Sequence, residues 1–304
     1  MNLLIKPTLI VFFGVAMLSC TNQPTDTTGN NSSDSRDTDD SASVSAQPAS
    51  AFLKKYQGHA PAGFMGDRRI RPGNYIQMDV LVTTRNFINI WIPESCTYNG
   101  QEEPFFLLSP DQLNDLKIEE TPTGGISLSG KAGPELELTG TAEEFQYGLY
   151  LTVTYHNVSD RMLQDVSSAV CIQLTAAPDF RDPDRERTFW YHNNAWDNTF
   201  EYYSVEQEGI ERTDFYNAAV EDESDMPLLI IESQNDDHVI GLIFRDATGV
   251  GGNSQMSTGC MHSDGGLVDI GPGESAAREG ILIIHPEGKD ALLKIAKEFY
   301  DGSV

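Results

Sequence analysis

The sequence predicts an all-β protein: an antiparallel β-sandwich of about ten strands that ends in a helix. Three observations support this prediction. Many short segments alternate apolar with polar residues, as half-buried strands do, and residues 148–157 form the longest of them. Turn sequences such as Asn99-Gly100 and Asp264-Gly265 separate the segments. No long amphipathic helices alternate with them, so a parallel α/β sheet is not expected.

The remaining predicted strands cover residues 75–82, 86–92, 125–129, 135–139, 166–174, 227–232, 238–245 and 280–285. One helix is predicted near the C-terminus, where apolar residues recur at the i, i+3, i+4, i+7 spacing. They are Leu292, Ile295, Ala296 and Phe299. Asp290 lies in the first turn of this segment, where a carboxylate favours a helix start. We expect the helix to pack on an edge or a face of a sheet.

The first 20 residues have the pattern of an export signal. One positive charge, Lys6, precedes a mostly apolar run at residues 7–18, which is too short to span a bilayer. Residues 17–20, Met-Leu-Ser-Cys, resemble the lipobox of bacterial lipoproteins, in which the cysteine is acylated and becomes the new N-terminus. That resemblance implies lipidation at Cys20 and a lipid anchor in the bacterial cell envelope.

Residues 21–50 consist almost entirely of Thr, Ser, Asp, Asn, Gln, Pro and Ala. Such a segment cannot bury enough apolar surface to offset its conformational entropy, so we predict a disordered tether. Residue 21 is Thr, not the Asp that resembles an inner-membrane retention signal, which favours the outer membrane or the cell surface. Residues 51–304 then form the β-sandwich domain.

The chain is strongly acidic, with 20 Lys and Arg against 46 Asp and Glu and a formal net charge of −26. A surface of this charge repels phosphate backbones, so nucleic acid is not expected as a partner. The acidity fits a soluble exported domain. Recruitment of Ca²⁺ at an irregular site is the alternative, because no EF-hand spacing is present. We expect no other cofactor.

Residues 178–192 form the densest cluster of charged and aromatic residues. Guanidinium groups can bind hydroxyls or carboxylates with paired hydrogen bonds, and aromatic rings can stack on sugars. The candidate ligand-binding residues here and just beyond are Arg181, Arg187, Trp190, His192 and Trp196. The alternative is a long loop whose arginines pair with its own aspartates and whose aromatic rings turn inward.

Residues 249–266 form a glycine-rich segment that we interpret as a second loop. Cys260, His262 and Asp264 alternate in it, so they would project from one face of an extended chain. His262 with Asp264 is the candidate catalytic pair if the protein is an enzyme, because a histidine and a carboxylate can form an oriented base or a metal pair. A pocket rim and a plain surface loop are the alternatives. A structural zinc site would need a second pair of ligands.

Three further cysteines follow Cys20, which allows one disulfide. Cys171 lies in an apolar run and has the pattern of a core residue. Export permits disulfide formation, and a Cys171–Cys260 bridge is conceivable. The pairing among Cys96, Cys171 and Cys260 stays open.

Two resemblances bear on function. Residues 181–189, 260–264 and 269–274 resemble segments of exported bacterial proteins whose activity is uncharacterised, with Gly265 where those proteins would have Pro. Residues 149–160 are similar to a strand and turn of galactose-mutarotase-like sandwiches. That family binds sugars on a concave sheet and includes epimerases and lyase-associated domains.

The resemblance implies carbohydrate as the ligand of this lipoprotein. The clusters of candidate residues place the site at residues 178–192 and 249–266. Catalysis of an epimerase-like or lyase-like reaction by His262 and Asp264 is one alternative. A non-catalytic assembly lipoprotein is the other, because arginines and aromatic residues also suit an interface with an envelope protein.

Overall fold

A computed structural model describes residues 53–55, 76–80, 86–101, 105–106, 117–174, 177–207, 210–220, 226–235, 237–254 and 259–302. The predicted signal peptide, Cys20 and the predicted tether lie outside these residues. The first strands are β1 (Leu53–Lys55), β2 (Ile76–Val80), β3 (Asn86–Thr97), β4 (Phe105–Phe106), β5 (Lys117–Glu120), β6 (Ile126–Ala132), β7 (Leu136–Phe145), β8 (Gly148–Asn157) and β9 (Leu163–Gln173). A 3₁₀ turn at Pro178–Phe180 follows β9.

The second half of the chain contains the remaining strands and the helix. They are β10 (Thr188–His192), β11 (Ala195–Asp197), β12 (Glu201–Gln207), β13 (Ile210–Ala219), β14 (Leu228–Glu232), β15 (Val239–Phe244), β16 (Ala247–Asn253), β17 (Cys260–Gly265), β18 (Val268–Ile270), β19 (Ser275–His285) and α1 (Lys289–Tyr300).

The strands form two antiparallel sheets. The ten-stranded sheet has the order β1-β2-β3-β9-β17-β16-β13-β12, with β4 added to β3 and β18 added to β9. The nine-stranded sheet has the order β11-β10-β14-β15-β19-β8-β7-β6-β5. The predicted all-β antiparallel sandwich is therefore confirmed.

The hydrophobic core lies between the two sheets because alternate residues of each strand point inward. On β8, Leu149, Leu151, Val153 and Tyr155 are buried and the residues between them are half-buried. Met261 on β17 and Val250 on β16 face the same core from the ten-stranded sheet. Each buried aliphatic side chain of this kind stabilises the fold by about 1.5–3 kcal/mol.

The described residues contain nineteen strands, more than the about ten that the sequence pattern indicated. The strands that were missed lack apolar alternation. β16 has the sequence Ala-Thr-Gly-Val-Gly-Gly-Asn, which is typical of a loop, and β4, β11 and β18 have only two or three residues. Pairing within the sheet, and not side-chain pattern, makes these segments strands.

Helix α1 confirms the predicted C-terminal helix and covers the outer face of the nine-stranded sheet. Leu292, Ala296 and Phe299 form a second core with residues such as Ile243 and Ile283 of that sheet. Among the described residues there is no helix with the length and apolarity that a bilayer crossing requires. The opposite surface of the sandwich is the outer face of the ten-stranded sheet.

Candidate functional site

The outer face of the ten-stranded sheet is the side turned away from the core, and it is rich in polar residues. Strand pairing assigns residues of six strands to this face. They are Asn89 and Trp91 of β3, Ala169, Cys171 and Gln173 of β9, Cys260, His262 and Asp264 of β17, Gly249, Gly251 and Asn253 of β16, Phe215 and Asn217 of β13, and Glu201 and Tyr203 of β12. Paired residues on neighbouring antiparallel strands share a face, so they form rows across the sheet.

The central row brings a thiol and an imidazole together. His262 is paired directly with Cys171 on one side and with Gly251 on the other. Cys260, two residues before His262, therefore lies on the same face, and its Sγ is 3.1 Å from His262 Nε2. The ligand atoms of Cys171, Cys260 and His262 all lie within 4.8 Å of one another, and all three side chains are buried. The predicted alternation of Cys260 and His262 on one face is confirmed.

Glu94 completes this cluster from a bulge in β3. The pairing of β3 with β9 shifts between Trp91 and Ser95, where four steps along β3 correspond to two along β9. The bulge places Glu94 Oε2 3.7 Å from His262 Nε2. Glu94 is 3% exposed, and its Oε2 has no hydrogen-bond partner in the described chain. We call Glu94, Cys171, Cys260 and His262 the thiol–histidine cluster.

Burial and mutual charge shift the pKa values in the thiol–histidine cluster. Burial raises the pKa of Glu94 to about 7, against the lowering effect of the His262 charge. Burial alone would lower the pKa of His262, but the charge of Cys260 and its hydrogen bond raise that pKa to about 10. Burial also disfavours the Cys260 thiolate, yet a hydrogen bond from Cys171 and the His262 charge bring its pKa well below the usual value.

Cys171 is the protonated partner of this pair. Burial and its hydrogen bond to Cys260 raise the pKa of Cys171 well above the usual value. These directions favour a thiolate on Cys260 beside a protonated His262, with the Cys171 thiol as a third member. The use of His262 with Asp264 as a catalytic pair stays a prediction.

Other buried polar atoms on the outer face also have no hydrogen-bond partner in the described chain. They are Asn89 Oδ1, Trp91 Nε1 and Asn253 Oδ1. Buried polar atoms almost always have partners, and an unpaired one costs about 1–3 kcal/mol. Together with Glu94 Oε2, these atoms are three acceptors and one donor that have no hydrogen-bond partner among the described residues.

The residues around these atoms are partly open. Trp91, Gln173, Asn217 and Asp264 are half-buried, as is Tyr203, whose ring stacks on that of Phe215 at 5.5 Å between centroids. Gly249 and Gly251 leave the centre of the face without side chains beside His262 and Asp264. The outer face therefore has a buried centre with half-buried polar and aromatic residues around it.

The segment 178–192 has a different arrangement from the predicted ligand loop. The Arg187 guanidinium donates hydrogen bonds to the backbone carbonyls of Asp179, Glu232 and Arg181. It also lies 3.6 Å from Asp182, whose carboxylate accepts hydrogen bonds from the Arg187 backbone N–H and from Thr188. Arg187 thus holds its own segment, as the alternative interpretation predicted.

Arg181 lies directly after the 3₁₀ turn, and burial lowers the pKa of its guanidinium. Trp190 is buried, donates to the carbonyl of Thr199 and stacks on His192 at 4.5 Å between ring centroids. Trp196 packs edge-on against Tyr191, in the core under α1. Trp190 and Trp196 therefore lie on opposite faces of the nine-stranded sheet and cannot stack on one ligand together.

The second predicted loop, residues 249–266, is largely two paired strands, β16 and β17, so its interpretation as a loop is wrong. Backbone hydrogen bonds between β16 and β17 make this segment a pair of strands, and glycine permits their close approach. A glycine-rich sequence alone does not indicate a strand. The two predicted segments are in contact, because Arg185 Nη1 donates to Ser254 Oγ at 2.5 Å. The sequence left the pairing of the cysteines open, and in the structure Cys96, Cys171 and Cys260 are all free thiols.

Replacing Arg187 with alanine should lower the free energy of unfolding by about 2 kcal/mol, because the carbonyls it binds lose their charged donor. Urea denaturation measures this loss. Arg187→Lys should lose less, because an ammonium group keeps the charge and some of the hydrogen bonds. An unchanged midpoint in Arg187→Ala would contradict the structural role.

Comparisons with known proteins give distant likenesses. No family model and no curated protein matches the chain. The chain is similar to a candidate aldose 1-epimerase from Escherichia coli K12, with 10% identity and a TM-score of 0.45 over 77% of this chain and 99% of that one. It is also similar to a galactose mutarotase related enzyme from Lactobacillus acidophilus, with 13% identity and a TM-score of 0.43 over 67% and 84%.

Proposed function

We propose that the protein is a cell-envelope lipoprotein that binds neutral carbohydrate on the outer face of its ten-stranded sheet. One observation carries the proposal: Asn89 Oδ1, Trp91 Nε1, Glu94 Oε2 and Asn253 Oδ1 are buried on one face without hydrogen-bond partners in the described chain. A ligand with many hydroxyl groups both donates and accepts, so it can satisfy amide, indole and carboxylate atoms at once.

The half-buried residues of the face supply the contacts through which a sugar would enter. Trp91 and Tyr203 offer ring surfaces for the apolar side of a sugar, and Asn217, Gln173 and Asp264 offer polar groups between them. Rings of this kind contribute roughly 0.5–1.5 kcal/mol beyond area burial. The outer face therefore has both kinds of contact that sugars require.

The charge of the face favours neutral sugars over acidic ones. Glu94 and Asp264 lie near its centre and Glu201 lies on β12, whereas the pairings of β3, β9, β17 and β16 place no Lys or Arg in the central part of the face. A uronate carboxylate would meet these carboxylates, and the cationic form of His262 is already paired with Cys260. Arg187, which the sequence suggested for that role, binds backbone carbonyls of its own sheet edge.

A glycan array of neutral and acidic oligosaccharides, probed with the full chain, tests this function. We expect neutral glycans to bind and Asn217→Ala to weaken them about tenfold, the effect of one lost hydrogen bond. Trp91→Leu should weaken them further, because it removes both the ring and the Nε1 donor. Thermal shift with the bound glycan gives a second measurement.

Tyr202→Ala is the matched control, because Tyr202 is an exposed aromatic residue on β12 whose side chain alternates to the other side from Tyr203. It should leave binding unchanged. Binding of acidic glycans only, or equal losses in Tyr202→Ala and Trp91→Leu, would place the site elsewhere. Absence of binding to every glycan would reject the function.

The alternative of an assembly lipoprotein rests on exposed apolar side chains. Val158, Met162 and Leu267 are exposed, each at a turn next to β8, β9 or β18. Single exposed apolar residues are normal on soluble proteins, so they do not define a docking surface. A stoichiometric protein partner in a pull-down, without any glycan binding, would favour this alternative.

A further inference from the structure

We propose that the thiol–histidine cluster binds one zinc ion through Cys171 Sγ, Cys260 Sγ, His262 Nε2 and a carboxylate oxygen of Glu94. The proposal shares Glu94 with the proposed carbohydrate face, but it goes beyond that function and needs no glycan to be bound. The four residues come from three neighbouring strands, β3, β9 and β17, so the ion would join the centre of the ten-stranded sheet.

The distances in the cluster fit a tetrahedral zinc site. Zinc bonds of about 2.3 Å to sulfur and about 2.1 Å to nitrogen place these two ligand atoms about 3.6 Å apart. Cys260 Sγ and His262 Nε2 are 3.1 Å apart, so they need to separate by about 0.5 Å. Two ligand atoms at about 2.1 Å lie about 3.4 Å apart. The distance from His262 Nε2 to Glu94 Oε2 is 3.7 Å.

The same nitrogen makes both contacts, which is the arrangement a metal ligand requires. His262 Nε2 faces Cys260 on one side and Glu94 on the other. Cys171 completes the set, because all ligand atoms of Cys171, Cys260 and His262 fall within 4.8 Å of one another. Small movements of side chains therefore suffice to form the site.

The donor set favours zinc over calcium or magnesium. Two thiolates are soft ligands that exclude hard oxygen-seeking cations, and an imidazole and one carboxylate are common zinc ligands. Four protein ligands leave no open position, which is typical of a structural site. The Ca²⁺ expected from acidity alone does not match this cluster.

Neighbouring groups are placed to support thiolate ligands. Gln173 Nε2 donates a hydrogen bond to Cys171 Sγ at 3.2 Å. The backbone N–H of Asn253 donates to Cys260. Hydrogen bonds of this kind orient ligands and stabilise their charge. Glu94 Oε2, buried and without a hydrogen-bond partner in the described chain, gains a partner when the ion binds.

Zinc binding must displace protons from the cluster. The ion replaces the thiol proton of Cys171 and any proton on His262 Nε2, and these protons pass to solvent. The competing reaction is oxidation, in which Cys171 and Cys260 lose two protons and two electrons to an envelope oxidant and form a disulfide. Metal and disulfide exclude each other, so one experiment distinguishes them.

The test uses the full chain, reduced and freed of metal with a chelator. Zinc is titrated in competition with a coloured chelator, and cobalt(II) serves as a spectroscopic substitute. We expect one zinc per chain and a cobalt complex with near-ultraviolet thiolate absorption of two-sulfur intensity. Cys171→Ser and Cys260→Ser should each weaken zinc binding more than about 100-fold, beyond the effect of losing a supporting contact. Cys171→Ser should keep about half of the thiolate absorption.

Cys96→Ser is the matched control, because Cys96 is a buried thiol of β3 that faces the core. It should bind zinc like the parent chain. Glu94→Gln, which preserves shape, keeps the proposal testable if a cysteine variant fails to fold; it should weaken binding at least tenfold. Circular dichroism monitors folding in each case.

Three results would overturn the zinc site. They are no stoichiometric zinc in the reduced parent chain, equal weakening in Cys96→Ser and Cys260→Ser, and binding of copper(I) without zinc. A Cys171–Cys260 disulfide in the protein isolated from its envelope, with no metal bound, would assign the cluster to redox chemistry instead. None of these results depends on glycan binding, so the two proposals fail separately.

Discussion

Replacing Arg278 with methionine should lower the free energy of unfolding by about 3 kcal/mol, the low end of the cost of breaking a buried ion pair. Arg278 is 3% exposed, on β19. Its Nε donates to both Asp246 oxygens at 3.0 and 2.7 Å, and its Nη1 donates to the Ser168 carbonyl at 2.6 Å. We expect the low end of this cost because the Asp246 side chain is 41% exposed, so water can solvate its carboxylate when Arg278 is removed.

Methionine keeps most of the apolar volume, so the loss reports the hydrogen bonds and the contact of the guanidinium with the Phe244 ring at 4.8 Å. Urea denaturation measures this loss in the free energy of unfolding, and the melting temperature of Arg278→Met should fall by about 6–12 °C. Arg161→Met is the control, because its ion pair with Glu135 is exposed; its midpoint should stay unchanged. Equal losses in both variants would contradict the role of burial.

A substitution at Gly265, which lies against the Arg278 guanidinium, tests the same buried arginine without changing it. A Cβ at this position would lie 2.5 Å from Arg278 Cζ and 2.6 Å from its Nη1. Gly265→Ala should therefore displace the guanidinium and reproduce part of the Arg278→Met loss. The glycine that stands where the resembling exported proteins would have proline thus has a steric reason in this chain.

The sequence predicted the parts of the fold that local pattern determines. Alternation in residues 148–157 matches β8, and the helical spacing of Leu292 and Ala296 matches α1. Each of these elements buries one face, so its sequence carries the period of that face. Strand β16 carries no such period, because three of its seven residues are glycine, and only its neighbours β13 and β17 make it a strand.

The candidate site was predictable only in part. The spacing of Cys260 and His262 predicted a shared face, because alternate residues of any strand share one. Cys171 and Glu94 lie 89 and 166 residues before Cys260, and their approach depends on sheet order and on the bulge in β3. The apolar neighbours of Cys171 correctly predicted burial, but they gave no sign of which face its thiol occupies.

For the arginines of residues 178–192, the prediction from the sequence and the contacts in the structure differ. Their composition predicted ligand contacts, but Arg187 satisfies backbone carbonyls where β10 joins the sheet edge. A guanidinium group fits a carbonyl of the chain as well as a hydroxyl of a sugar. Composition does not separate these uses, because the partners are set by tertiary contacts.

Replacing Gly140 with alanine should lower the free energy of unfolding by about 3 kcal/mol. It should also disturb the thiol–histidine cluster, which lies on the outer face of the opposite, ten-stranded sheet. Gly140 lies on β7, and a Cβ there would stand 2.0 Å from the backbone oxygen of Ile92. Backbone atoms cannot turn away as a flexible side chain can. The added methyl group must therefore push the two sheets apart or move the β3 bulge.

The bulge that contains Ile92 also positions Glu94, so its movement should carry the carboxylate away from His262. If the zinc site exists, Gly140→Ala should weaken zinc binding about tenfold, as loss of a supporting contact does, with Cys171 and Cys260 unchanged. Urea denaturation and zinc titration measure the two effects. Thr141→Val, the next residue on the opposite and half-buried face of β7, should change neither. A destabilised Gly140→Ala chain that binds zinc normally would show that Glu94 does not depend on this contact between the sheets.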